Sequence, residues 1–118
     1  MNMEPMLTSQ SGTGTGAVNV LSSEAQVKTA APSRYLSQLS KHFEHGHSLS
    51  VIMAGAHGRI AFPAGVRTLI AEVNAELLVM VVSANDTLAL AWIESIVERH
   101  LLRFAFRDEP RVDWVRVA

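Results

Sequence analysis

Between Leu49 and Ser83 the chain alternates apolar and polar residues and doubles back at short intervals. Leu49, Val51 and Met53 alternate with small or polar neighbours, and Gly55 to Gly58 predicts a turn. Ile60 and Phe62 alternate up to Pro63, whose missing N–H stops a strand ladder. Ala64-Gly65 predicts a second turn into Val66–Val73, and Asn74 a tight connection into Glu76–Ser83. Short strands at regular spacing with short turns predict an antiparallel meander.

Two helices and an opening strand flank the meander. Ser23, Ala25 and Val27 alternate with Glu24, Gln26 and Lys28, the pattern of a half-buried strand. Pro32 suits a first helical position, where its missing N–H is not needed. Tyr35, Leu36, Leu39 and Phe43 then fall on one apolar helix face, and Gly46 is read as its left-handed cap. Asn85 is the expected N-cap of a second helix running to about Phe104, roughly 28 Å. Its stripe is Ala89, Trp92, Ile93, Ile96, Val97, His100 and Phe104. Val112 and Trp114 alternate with Arg111 and Asp113, as in a short final strand or extended arm. The fold class is therefore α+β: a two-layer sandwich of an antiparallel sheet with two helices on one face, in the order strand, helix, four strands, helix.

The chain of 118 residues fits one domain, placed over residues 22–118 behind a disordered tail, 1–21, rich in Ser, Thr and Gly. Gly12, Gly14 and Gly16 lack the strand and helix that a phosphate loop needs. Having no cysteine, the chain makes no disulfide, iron–sulfur cluster or thiol nucleophile. A net charge of -1 argues against broad binding to nucleic acid or anionic membrane. The N-terminus has neither the basic start nor the apolar run of a secretory signal, so the expected location is the cytoplasm.

Three segments together carry a resemblance. They are Tyr35-Leu-Ser-Gln-Leu-Ser-Lys-His-Phe-Glu-His45, Gly58-Arg-Ile-Ala-Phe-Pro63 and Arg99-His-Leu-Leu-Arg-Phe-Ala-Phe-Arg107, followed by Val112-Asp-Trp114. From about Ala25 to Trp114 the chain resembles a family of small bacterial proteins known as domain of unknown function 2218. The resemblance implies a layout similar to the TATA-binding-protein-like fold. It also implies company with iron and siderophore uptake, with a siderophore-interacting flavoprotein as the partner. The family has no established activity, so no catalytic residue carries over. His42, His45 and His100 fall at family positions, whereas His47 and His57 do not.

Those histidines are the first candidate site. His42 and His45 are three apart on a helix, so their rings can approach one point. His100 can join them if the helices pack 8–10 Å apart, about the usual spacing. A divalent metal takes three or four such ligands, so a divalent metal or an iron chelate is the candidate cofactor. The alternative is plainer: His42 and His100 lie on apolar stripes, where a histidine packs with both nitrogens hydrogen-bonded.

Two further surfaces stand out. Arg99, Arg103, Arg107 and Arg111 recur every four residues, and Arg103 with Arg107 is the candidate anion site. Local pairing with Glu98, Asp108, Glu109 or Asp113 is the competing reading. If Leu69, Leu77, Val79 and Val81 face the helices, then Ile52, Ile70, Leu78, Met80 and Val82 form an apolar open face. A second copy would cover it, giving a homodimer, unless the tail or Trp114 does so or the register differs. No nucleophile elbow, paired acid motif or P-loop is present. The expected function is a non-catalytic binding module of iron and siderophore handling, or else an interaction domain that dimerises through its sheet.

Overall fold

The computed structural model of the chain describes residues 20–46, 49–62, 67–105, 107 and 110–117. Most of the expected tail, the turn expected at 63–66 and His47 lie outside the described residues. The elements are β1 (Leu21–Lys28), α1 (Pro32–Lys41) running into a π-helical turn (His42–Gly46), β2 (Ser50–Ala54), β3 (His57–Phe62), β4 (Arg67–Asn74), β5 (Leu77–Ala84), α2 (Thr87–Phe104) and β6 (Val115–Val117). The strands form one sheet in the order β2-β3-β4-β5-β1-β6, with every neighbouring pair antiparallel. The expected order of elements is the observed one, and the final short strand is β6, which begins after Trp114 and leaves Val112 and Trp114 in the stretch before it.

α1 buries the face that its periodicity predicts, and α2 does so in part, with Ile96, His100 and Phe104 of its expected stripe half-buried and Trp92 exposed. Tyr35, Leu36, Leu39 and Phe43 are all buried, as are Ala89, Ile93 and Val97, joined by Leu90 and Leu101. Burying each large apolar side chain is worth roughly 1.5–3 kcal/mol before chain entropy is subtracted. The helices touch through Tyr35 and Phe104, whose rings lie 6.3 Å apart. Gly58 lets α1 come down onto β3. A Cβ there would lie 2.7 Å from the Met53 sulfur and 3.3 Å from a Leu36 methyl. Gly58 thus belongs to a strand and not to the expected turn, which is Gly55-Ala56 alone.

Register decides the faces. Asn74 pairs with Leu77 across a two-residue turn, so Leu69 lies opposite Val82 and Ile70 opposite Val81. Directly opposed residues of an antiparallel pair share a face. Leu69 therefore carries Leu78, Met80 and Val82 with it to the helix side, where all four are fully buried. This corrects the expected open face. Ile52 and Ile70 stay on it, but Leu78, Met80 and Val82 are core, and Leu77, Val79 and Val81 take the open side. The strand is apolar at almost every position, so alternation alone offered no contrast.

Local ends also differ from the sequence reading. Asp86, one residue past Asn85, caps α2 by accepting a hydrogen bond from the Ala89 N–H at 2.7 Å. Gly46 is no left-handed cap. Among the described residues positive φ occurs at Gly55 (60°) and Ala75 (56°), the first residues of the two hairpin turns.

Candidate functional site

The π-helical turn brings His42 to α2. Its ring centroid lies 4.6 Å from that of His100, with the planes tilted by 47°. Phe43 packs beside both, at 5.6 Å from His42 and 5.1 Å from His100. On the other side of His42, Nδ1 and Cε1 lie 3.8 Å from the position a Gly46 Cβ would take. Both imidazoles are half-buried.

His100 has a defined tautomer. Its Nδ1 lies 2.6 Å from the Ile96 carbonyl oxygen, which can only accept, so Nδ1 carries the proton. In the neutral ring Nε2 is then the acceptor nitrogen. A backbone carbonyl holding the far nitrogen is the usual arrangement behind a histidine that ligates a metal.

His45 is not part of this pair. Its side chain is 76% exposed and faces Glu44, with 3.5 Å between Nε2 and Oε1. No group of three metal-ligating side chains converges among the described residues. The set of His42, His45 and His100 expected from the sequence therefore reduces to His42 and His100. Two imidazoles cannot encage a bare ion alone, but they can complete the shell of a metal already held by a chelator.

The expected arginine face divides where the helix ends. α2 stops at Phe104, so Arg103 is exposed in the last turn and Arg107 lies beyond it, also exposed. The two share no helix face. Arg111 pairs with Asp113 at 2.6 Å, the local reading of that series.

The other acids and the final strand form a clasp. Arg116 donates from Nε and from a terminal nitrogen to the two Glu94 oxygens, at 3.2 and 3.1 Å. Trp114 donates from Nε1 to Glu98 at 3.0 Å. Burial pushes the Glu94 carboxyl up, but the hydrogen bond from Arg116, the nearby Ser23 hydroxyl and the Arg116 charge outweigh it, so it lies below the ordinary carboxylate range. The buried Ser23 hydroxyl lies near this carboxyl but makes no hydrogen bond of good geometry among the described residues. Trp114 thus sits on the helix side and does not cover the open face.

Residues 24–115 match the family described as an uncharacterized protein conserved in bacteria, domain of unknown function 2218. The chain belongs to that family. Its fold is similar to the NMR structure of PA4090 from Pseudomonas aeruginosa, with a TM-score of 0.65 and 25% identity, covering 80% of this chain and 95% of that one. No curated protein matches the chain. The family segment includes His42, His45, His100 and the Gly58 contact, so the matched region spans both helices and the strand they rest on. Among the described residues, no helix is long and apolar enough to cross a membrane.

One group escaped the sequence reading altogether. Arg67 opens β4 on the helix side of the sheet, and its guanidinium carbon lies 4.7 Å from the centre of the Trp92 ring. Trp92 meets Phe62 edge-on at 6.1 Å, and Phe62 meets Phe43 at 5.2 Å. An aromatic row thus runs along α2 from Trp92 to the histidine pair. Sequence spacing placed Trp92 on the apolar stripe, but nothing in it joined Arg67 to that residue.

Proposed function

We propose that this protein is a non-catalytic binding module that works beside iron and siderophore handling and takes a chelated metal on His42 and His100. The observation that supports it is the 4.6 Å approach of two half-buried imidazoles from separate helical segments, one with its tautomer set by Ile96. A metal in a chelate keeps most of its shell and needs only the remaining positions filled. Protons compete for the same nitrogens, so affinity falls as the solution is acidified. The partner in this reading is a siderophore-interacting flavoprotein. Nickel(II) nitrilotriacetate is the probe, because its chelator leaves two positions for imidazole. Paramagnetic broadening of the His42 and His100 ring signals together is the expected NMR result. Broadening confined to the exposed His45 and His57 refutes the reading.

A second reading is a homodimer formed through the open side of the sheet. It is favoured by Ile70, Leu77, Val79 and Val81, which adjoin on β4 and β5 with no helix over them. Ile52 and Val115, at 65% and 66% exposure, extend the patch past Arg59 and Glu24. Light scattering of the wild type tests it: a dimer that Val79→Lys converts to a folded monomer supports it, and a wild-type monomer contradicts it.

A further inference from the structure

The Arg67–Trp92 pair borders an open concavity of about 700 Å³ lined by Arg67, Asp86, Thr87, Leu88, Ala89 and Trp92. Its chemistry is unlike the histidine site. The guanidinium carbon lies over the Trp92 ring, a cation–π contact that uses none of its N–H donors. Its Nε is buried with no hydrogen-bond partner among the described residues. Leaving a buried donor of a charged group unmade is costly, more so than for a neutral donor. The ion pairs among the described residues, Arg111–Asp113 and Glu94–Arg116, and the Glu44–His45 contact leave Arg67 out. The acid in the lining is Asp86, whose Oδ1 is already committed to the Ala89 N–H.

Apart from Thr87, the remaining lining is apolar. Leu88 is 85% exposed and Trp92 41% exposed, both large apolar side chains on the outer surface of α2. A guanidinium presented beside an aromatic and an aliphatic side chain fits a planar oxyanion that carries an apolar arm. We propose that this concavity is a second binding site, independent of the histidine pair, for an organic carboxylate. The Arg67 guanidinium takes the carboxylate, and Leu88 and the uncovered part of Trp92 hold the arm.

Benzoate, acetate and inorganic phosphate, titrated separately into the full chain, distinguish the sources of the anion. The readouts are the Trp92 indole N–H and Arg67 Nε–H NMR signals. Benzoate moves both signals saturably with a dissociation constant in the range of about 1 mM, and acetate binds about tenfold more weakly because it lacks the arm. Arg67→Gln abolishes the saturable shift, and Arg67→Lys retains the charge but loses most of the affinity. His42→Gln leaves the benzoate curve unchanged. Far-UV circular dichroism checks that each variant is folded. Should Arg67→Gln fail to fold, loss of benzoate binding in folded Leu88→Asp serves in its place. Benzoate that does not saturate, binding that survives Arg67→Gln or Leu88→Asp in folded protein, or phosphate binding tighter than benzoate overturns the proposal.

Discussion

The two sides of the sheet use the same six strands and face opposite constraints. The helix side is closed: Val27, Leu69, Leu78, Met80 and Val82 are sealed under α1 and α2, and even the backbone is crowded where α1 meets Gly58. The open side mixes Ile70, Val79 and Val81 with Glu24, Gln26, Arg59 and Glu72. A buried position there tolerates neither charge nor extra volume, whereas an open one tolerates both. The chemistry of the molecule, His42 with His100 and Arg67 with Trp92, lies on the closed side at the edges of the helix layer, where polar groups are half-shielded and still reachable.

The sharpest contrast lies within β5. Met80→Lys places an unpaired charge in the core and costs more than about 3 kcal/mol, enough to unfold much of the population. Val79→Lys, one residue away, changes monomer stability by no more than about 0.5 kcal/mol. Urea melts of the two variants measure the difference, and equal losses would mean that the register is wrong. Next in size is Gly58→Val. It forces Met53 and Leu36 off β3 and costs about 1–3 kcal/mol in the same assay.

The Glu94–Arg116 clasp gives a smaller effect with a pH signature. The folded Glu94 carboxyl lies below its ordinary value of 4.5, so its contribution is present above that pH and disappears as the pH falls through the lower folded value. Wild type therefore exceeds Glu94→Gln at pH 7 by about 1 kcal/mol or less, and the two converge in acid. An advantage that does not shrink as the pH falls below 4.5 would contradict the ion pair. The smallest effect is a gain. Ala75 holds a positive φ that glycine adopts without strain, so Ala75→Gly stabilises by about 0.5 kcal/mol in thermal melts.

How much was legible follows the same division. The order of elements could be read because each helix and each of β1 and β3 has a clear period. Tyr35, Leu36, Leu39 and Phe43 needed only helical spacing, and Ser23, Ala25 and Val27 only alternation. β5 had no contrast, and its register had to come from the turn at Ala75 and Glu76, where a two-residue link puts Leu69 and Val82 on one face. The site was half legible. His42 and His100 are neighbours because two apolar stripes must face each other. His45 was lost because the chain widens into a π-helical turn that moves it off the α-helical row, a change no local propensity announces. Arg67 was missed because its partner, Trp92, is 25 residues away and joined only by the packing of α2 on the sheet.

The central claim is that His42 and His100 act as one binding unit. A double-mutant cycle on nickel(II) nitrilotriacetate affinity, with His42→Gln, His100→Gln and the pair, tests it most directly in a background where His45, His47 and His57 are also glutamine. Each single substitution should remove nearly as much affinity as both together. Losses that simply add, or a wild-type affinity no tighter than that of the double variant, would show that the two imidazoles pack against each other and bind nothing in common.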